Sequence, residues 1–342
     1  MTHKQRLLAL FCCLPAVAMA EPTLYLGMNG GTMEKLFTDN ILPAFEKANG
    51  VKVVIVPGTS ADILAKVQAT PNKPPIHVMV LDDGIMYRAI GMGLCSTLTP
   101  NPTLAQLPEK ALIKDKAAAV SLGVTGLAYN SRLFKEKGWA APTSWNDLSD
   151  PRFKGKVVFQ SMVSSTFGLH GFLMFNRLKG GTDANVEPGF SAWPKSVGPN
   201  VLEYIPNSAK LSEMVQTDEA ALFPLTPTQV TALKLKGIPV EYAPPKEGAV
   251  VLNQAECVTA NNDQPELAQK LAQFLISPEA QAPALELGDQ IPSNPTTPTT
   301  DKTRGQVEAM QEYLKTAVTI DWDQVNQKRP EWNARWNRQI ER

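Results

Sequence analysis

Strands and helices alternate through the first third of this chain, and this order restricts the fold more than any other feature of the sequence. Three short apolar runs end in small polar residues, and each is followed by a stretch with apolar residues at helical spacing. A β-α-β-α-β-α order predicts an α/β fold in which a parallel sheet carries helices on both faces. The predicted strands are 23–26, 51–56 and 76–81, and the predicted helices are 32–49, 61–69 and 85–92.

Two further patterns concern helices near the two ends of the chain. Pro43 is expected to kink or split the first helix, and Asn49–Gly50 is expected to end it. Trp332 and Trp336 are four residues apart, which places both on one face of a helix. We interpret this pair as a stripe that docks the C-terminal helix onto the rest of the protein, rather than as part of a ligand cage.

The first twenty residues have the pattern of a secretory signal peptide. Basic residues precede the apolar run 7–17, and the small-x-small sequence Ala18-Met19-Ala20 follows it. The apolar run is about half the roughly 20 residues that a membrane span needs. Phe11 precedes Cys12, which argues against a lipid anchor. The sequence therefore predicts export to the periplasm with cleavage after Ala20.

Composition excludes several classes of partner. The chain has 33 Lys and Arg residues and 33 Asp and Glu residues, so no basic surplus is available for nucleic acid or an anionic membrane. Beyond the leader, His77 and His170 have no cysteine or second histidine at the spacing of a metal site. Phosphate-binding and dinucleotide-binding glycine motifs are also missing, so no cofactor and no metal are expected.

Two cysteines remain after the leader is removed, Cys95 and Cys257. In an oxidising compartment two such cysteines often form a disulfide. The alternative is a pair of buried free thiols, and the residues alone leave both possibilities open.

Small polar residues follow five predicted strands, the three given above and the strands 157–160 and 220–223, and open a helix at each. Because the carboxyl ends of parallel strands meet at one edge of a sheet, these loops are expected to share a cleft. Helix N-termini there would suit anionic groups, although simple N-capping explains each loop singly. The candidate ligand-binding residues in these loops are Asn29, Gly30, Thr59, Ser60, Asp82, Asp83, Ser164, Ser165, Thr166 and Thr226.

The chain resembles the periplasmic solute-binding receptors of ABC importers, in the branch that includes polyamine and ferric-iron receptors. Residues 142–156, PTSWNDLSDPRFKGK, are similar to the family segment P-x-x-W-x-D-L-x-x-P-x-[FY]-K-G. Residues 126–130, 245–248 and 274–281 resemble a hinge-proximal strand, a turn of polyamine receptors and a helix end, FLISPEAQ, in the same order as in the family.

This resemblance implies a two-lobed periplasmic-binding-protein fold of type II, each lobe a mostly parallel sheet flanked by helices. Lobe one would take 21–119 and 251–342, and lobe two would take 120–250, with hinge crossings near Val120 and Val250 that close on the ligand. Both mature cysteines would then lie in lobe one, which favours a disulfide. The resemblance further implies a monomer that delivers its solute to an inner-membrane ABC permease.

The departures from the family pattern bear on the ligand. The carboxylates and aromatic side chains with which polyamine receptors hold ammonium groups fall near Met162, Ser165, Leu252, Gln254 and Asn29 in this chain. Ferric-iron receptors are less similar, since no adjacent pair of tyrosines occurs. The remaining chemistry is that of hydroxyls, amides and helix ends, with Asp82, Asp83 and Glu256 as cation partners and Gln254 as a further contact.

We therefore expect a small anionic or zwitterionic solute, such as an amino-acid-like compound, a carboxylate or a phosphonate. Two alternatives stay open at this point. One is a polyamine receptor of the same family. The other is a secreted hydrolase or transferase, although no nucleophile motif of the G-x-S-x-G type is present and no catalytic residue is assigned.

Overall fold

The structure is a computed structural model that describes residues 21–341, so the predicted signal peptide lies outside the described residues. Within 21–341, no helix is long and apolar enough to cross a membrane. The strands are β1 Thr23–Met28, β2 Lys52–Pro57, β3 Val78–Asp82, β4 Leu112–Ile113, β5 Ala117–Ser121, β6 Val124–Asn130, β7 Val157–Gln160, β8 Val201–Ile205, β9 Leu222–Leu225, β10 Val240–Ala243, β11 Val250–Val251 and β12 Gln254–Val258. The α-helices are α1 Thr32–Leu36, α2 Leu42–Asn49, α3 Ser60–Ala69, α4 Asp83–Gly91, α5 Ser131–Lys137, α6 Thr166–Leu178, α7 Glu187–Ala192, α8 Leu211–Gln216, α9 Pro227–Leu235, α10 Pro265–Leu275, α11 Pro278–Gly288, α12 Asp301–Thr316 and α13 Trp322–Gln339.

Two sheets organise the molecule. The first has the order β2-β1-β3-β12-β5-β4, and the second has the order β10-β6-β9-β7-β8 with β11 paired to β6. Strands β2, β1 and β3 are parallel, as are β9, β7 and β8. Helices flank both sheets, which confirms the expected α/β fold.

The sheets are mixed rather than mostly parallel. Strand β12 is antiparallel to both β3 and β5, and β6 is antiparallel to both β9 and β10. The reason is that the chain returns from one sheet to the other. A strand that enters a sheet from the neighbouring sheet runs against the strands built by the β-α-β units.

The chain passes between the sheets at three places. Residues 122–123 join β5 to β6, and residues 252–253 join β11 to β12. The third passage follows α12, where Val318 forms a parallel bridge to Val250. The first two passages lie close to the hinge crossings that were predicted near Val120 and Val250. The third passage was not predicted.

The first helix is interrupted as its proline predicts. A π-helical segment, Phe37–Ile41, separates α1 from α2, and Pro43 occupies the first turn of α2, where its missing N–H costs no helical hydrogen bond. Gly50 ends α2 in the left-handed conformation with φ 61°.

The C-terminal helix α13 packs into the core of the second sheet. Trp336 is completely buried and its ring lies 5.3 Å from that of Trp193, while Trp332 is also buried in the same cluster. At its other end, α13 contacts α4 of the first sheet, where the Asn326 Nδ2 donates to the Gly84 carbonyl at 2.9 Å. The tryptophan pair is thus a docking stripe, and α13 bridges the two sheets.

A disulfide joins Cys95 to Cys257, with the Cα atoms 5.8 Å apart. Cys257 lies in β12, and Cys95 follows α4 and pairs with Thr259. The bond therefore fastens the central strand of the first sheet to the segment beyond α4.

Candidate ligand-binding cleft

A cavity of about 230 Å³ lies between the two sheets. It is bounded by the carboxyl ends of β1, β2 and β3 on one side and of β7 and β8 on the other, together with α4 and α13. This is the edge at which α/β sheets ordinarily bind ligands. The residues that line it are Asn29, Thr59, Ser60, Ala61, Asp82, Ile85, Arg88, Gln160, Val163, Ser164, Ser165, Thr166, Phe167, Pro206, Asn207, Ser208 and Arg329.

Seven of the candidate residues lie together in this cavity. They come from four different loops of two sheets, so the idea of a shared edge correctly predicted their proximity. The seven are Asn29, Thr59, Ser60, Asp82, Ser164, Ser165 and Thr166.

The wall from the first sheet is organised around Asp82. Its N–H donates to Ser60 Oγ at 3.0 Å, and its Oδ2 accepts from Thr166 Oγ1 at 2.8 Å. The second bond crosses the cavity, because Thr166 begins α6 of the other sheet. Burial raises the pKa of Asp82, while the Thr166 hydrogen bond and the charge of Arg329 oppose that rise.

The wall from the second sheet is a chain of hydroxyl and amide groups. Ser165 Oγ donates to Gln160 Oε1 at 2.6 Å, and Gln160 Nε2 donates to Ser208 Oγ at 3.2 Å. No side chain caps the first turn of α6, so the positive end of this 13-residue helix is directed to the cavity. At Gly168 a Cβ atom would lie 1.9 Å from the Gln160 carbonyl oxygen, so only glycine lets α6 approach β7 this closely.

Two arginines complete the cavity, and neither was predicted. Arg329 of α13 is only 8% exposed, yet within residues 21–341 its guanidinium forms no hydrogen bond or ion pair. Burial, reinforced by the nearby charge of Arg88, lowers the pKa of Arg329 to about 10, and Asp82 opposes this shift. A positive charge at this depth is costly unless an anion compensates it.

The sequence carried one faint signal for Arg329. It lies three residues before Trp332 and four after Val325, so it shares the buried face of α13. Because a charge is costly to bury, a basic residue on a buried helix face indicates a functional role for that residue.

Five candidates do not reach the cleft. Gly30 is exposed in the turn before α1, and Thr226 instead caps α9 by accepting from the Gln229 N–H at 3.2 Å. Gln254 accepts from Ser121 Oγ at 3.4 Å within the first sheet. Asp83, which directly follows Asp82, lines a different cavity.

Glu256 also lies away from the cleft, in the interior of the first sheet. It is 0% exposed in β12 between β3 and β5, and neither carboxyl oxygen has a hydrogen-bond partner among the described residues. It was expected to be a cation partner, together with Asp82 and Asp83. A central strand, however, buries both of its faces.

Within the described residues, no group of three or more His, Cys, Asp or Glu side chains could hold a metal ion. The cleft is therefore built from guanidinium groups, hydroxyls, amides and one carboxylate. This set suits an anion and a cation held a short distance apart.

Comparison with known proteins gives the family. The sequence model of bacterial extracellular solute-binding proteins matches residues 40–311, which is most of the chain. The chain belongs to the bacterial extracellular solute-binding protein family. The expected resemblance to bacterial solute-binding receptors is thereby confirmed.

Relatives of this receptor agree in sequence and in fold. A putative 2-aminoethylphosphonate-binding periplasmic protein of Salmonella typhimurium is 24% identical over 300 residues, which cover 85% of this chain and 80% of that protein. An ABC transporter structure from Clostridium perfringens has a TM-score of 0.77 at 19% identity and covers 93% of this chain and 99% of its own. The periplasmic binding protein AfuA of Actinobacillus pleuropneumoniae, with fructose-6-phosphate bound, has a TM-score of 0.76 at 21% identity and covers 94% and 99%. These structures confirm the type II fold.

Proposed function

We propose that this receptor binds a small zwitterion that carries a phosphonate or a similar anion at one end and an ammonium group at the other. The observation that carries the proposal is Arg329, a buried guanidinium without a hydrogen-bond partner in the described chain. A compound of the 2-aminoethylphosphonate type carries both charges.

The anionic end would lie against Arg329 and Arg88. Both line the cavity, and the free first turn of α6 faces it as well. Guanidinium groups bind phosphonate and carboxylate oxygens through paired hydrogen bonds, and a helix N-terminus adds backbone donors. The hydroxyls of Ser164 and Thr166 line the same cavity.

The ammonium end would lie against Asp82. This is the one carboxylate among the lining residues, and among the described residues its side chain accepts a hydrogen bond from Thr166 Oγ1 alone. An ammonium group would favour the ionised form of Asp82 and so offset the effect of burial on its pKa. Asp82 would then distinguish amino phosphonates from simple ones.

The alternatives fit this cavity less well. A polyamine would bring two or more ammonium groups beside Arg88 and Arg329, and like charges at close range oppose binding. The name of the Salmonella relative also favours an aminophosphonate. A hydrolase or transferase would need a nucleophile with an adjacent base, and the serines of the cleft contact amide and carbonyl groups instead.

The receptor cycle that we propose follows from the fold. Residues 21–119 and 251–342 would form one lobe and 120–250 the other, except that α13, whose tryptophans pack in the core of the second sheet, would move with the second lobe. Ligand would draw the lobes together across the Asp82–Thr166 contact, and the closed monomer would deliver it to an ABC permease. We also propose export to the periplasm with cleavage after Ala20.

A thermal-shift panel tests the proposed solute class. A ligand at about 100 times its dissociation constant stabilises a protein by roughly 2.7 kcal/mol, which a melting curve detects. We expect 2-aminoethylphosphonate to stabilise the protein and putrescine and spermidine to have no effect. In Arg329→Gln the shift should disappear. In Arg335→Gln, on the same helix but paired with Glu187 outside the cavity, it should persist.

Two results would reject this proposal. One is stabilisation by polyamines without any response to phosphonates, carboxylates or amino acids. The other is release of a product from the stabilising compound, measured by phosphorus-31 nuclear magnetic resonance after prolonged incubation, since a receptor returns its ligand unchanged.

A further inference from the structure

A second cavity, of about 320 Å³, lies beside the passages of the chain between the two sheets. We refer to it as the hinge cavity. Leu122 of the first passage, Asn253 of the second and Ile320 of the third all line it. Asp83 lines it as well, whereas the preceding residue, Asp82, lines the ligand-binding cleft. Two consecutive aspartates thus line two separate cavities.

The hinge cavity is lined mostly by apolar side chains, with a polar floor and with Tyr87, Lys110 and Thr319 as further polar residues of its wall. The floor consists of Asp83 and Asn253, each only 5% exposed. Asp83 Oδ1 accepts from the Gly84 N–H at 2.9 Å and its Oδ2 from the Asn253 N–H at 3.4 Å. Asn253 Nδ2 donates to the Lys110 carbonyl at 3.1 Å, and its Oδ1 has no partner among the described residues. The Trp322 side chain is a further hydrogen-bond donor to Asp83, so the floor acceptor that stays without a partner among the described residues is Asn253 Oδ1.

The charges around the floor point to a cationic partner. Burial, with a smaller effect from Asp82, raises the pKa of Asp83 to about 7, and Asp83 forms no ion pair among the described residues. Lys114 lies over the Tyr87 ring but pairs with Asp323 at 3.3 Å. Lys110 is exposed and can extend its ammonium group into water.

We propose that the hinge cavity is a second binding site, which takes a small amphipathic amine. Its ammonium group would donate to Asp83 and to the free Oδ1 of Asn253, and its apolar body would pack against Leu122, Leu314 and Trp322. The occupant would contact each passage between the sheets. Its binding would consequently depend on the hinge angle, independently of which solute the cleft takes.

Calorimetry with n-hexylamine, n-hexanol and hexanoate on the whole mature protein tests this site. The three probes share one apolar body and differ in the head group. A charge-assisted hydrogen bond contributes about 1.5–3 kcal/mol, so hexylamine should bind about tenfold or more tighter than hexanol. Hexanoate should bind more weakly still, because its carboxylate would meet Asp83. Equal binding of the three probes, or no binding of hexylamine, would overturn the proposal.

The neighbouring aspartates provide the matched control. Asp83→Asn should remove the preference for hexylamine over hexanol, whereas Asp82→Asn should leave it intact. The opposite pattern would mean that the amine binds in the cleft and would overturn the proposal. Ala317→Trp gives a second variant that leaves the carboxylate in place, because Ala317 lines the cavity and the larger side chain would fill it. Hexylamine binding retained by a folded Ala317→Trp protein would also contradict the site.

Discussion

Arg329 and Glu256 are charged side chains in opposite situations. Arg329 is buried but borders a cavity that an anionic ligand can enter. Glu256 is completely buried, lines neither of the two cavities described above, and has two carboxyl oxygens that lack a partner within the described chain. We propose that the first is a recognition group. The second acts on the stability of the fold.

The pH dependence of stability should report Glu256. Burial raises the pKa of Glu256 from 4.5 to about 8 in the folded protein. Between these two values the folded form holds a proton that the unfolded form has released, so stability falls as the pH rises through this window. At about 1.4 kcal/mol per pKa unit, the loss is roughly 3 kcal/mol by pH 7.

Urea unfolding at pH 5 and pH 7.5 would measure this effect. Glu256→Gln keeps the size of the side chain and does not titrate. The variant should therefore lose less stability than the wild type between the two pH values. Identical losses in both proteins would show that Glu256 does not carry the proton, and that Asp83 or other groups account for the change.

At the scale of elements, caps and short sequence motifs were the most reliable guide to the structure. Ser144 caps its own turn by accepting from the Asn146 N–H and donates to Glu247, and the Trp145 indole donates to the Gly248 carbonyl at 2.9 Å. Two of the segments that carry the family resemblance, 142–156 and 245–248, thus hold each other. The Ser144 cap is set by residues close together in sequence, whereas the contacts with Glu247 and Gly248 join two recognisable motifs 103 residues apart.

Long-range placement was not predictable in the same way. The end of a strand identifies which loop reaches a sheet edge. This was sufficient to predict that Asp82 and Thr166 lie in the same cleft. It does not say which later helix closes the cavity, so Arg329 was missed. Glu256 was misplaced because the sequence does not reveal that β12 enters the middle of the first sheet, between β3 and β5.

The disulfide should contribute to the stability of the first sheet. It joins residues 162 apart in sequence, and the sulfur atoms lie in a buried cluster. A cross-link of this kind usually stabilises a protein by constraining the unfolded chain, by about 2–5 kcal/mol. The double variant Cys95→Ala, Cys257→Ala should lose stability in this range.

Guanidinium unfolding under non-reducing conditions would measure the loss. Wild-type protein treated with a reductant serves as the control and should approach the stability of the double variant. Equal stability of the variant and the oxidised wild type would contradict a stabilising disulfide.

At the scale of the molecule, three passages of chain and the helix α13 connect the two sheets. The cleft between them is closed by a single side-chain hydrogen bond, from Thr166 to Asp82, among the contacts described above. We expect a solute to strengthen this closure by bridging Arg329 of α13 and Asp82 of β3. The charges of the cleft, rather than its shape alone, would then decide which solute closes the receptor.

The most direct test of this account is a calorimetric cycle with 2-aminoethylphosphonate and ethylphosphonate, which differ by the ammonium group. Wild-type protein should prefer the amino compound by about tenfold or more, as expected for a charge-assisted contact. Asp82→Asn should bind both compounds with similar affinity, and Arg329→Gln should weaken both together. A preference for the amino compound that survives in Asp82→Asn, or an affinity for both that survives in Arg329→Gln, would contradict the account.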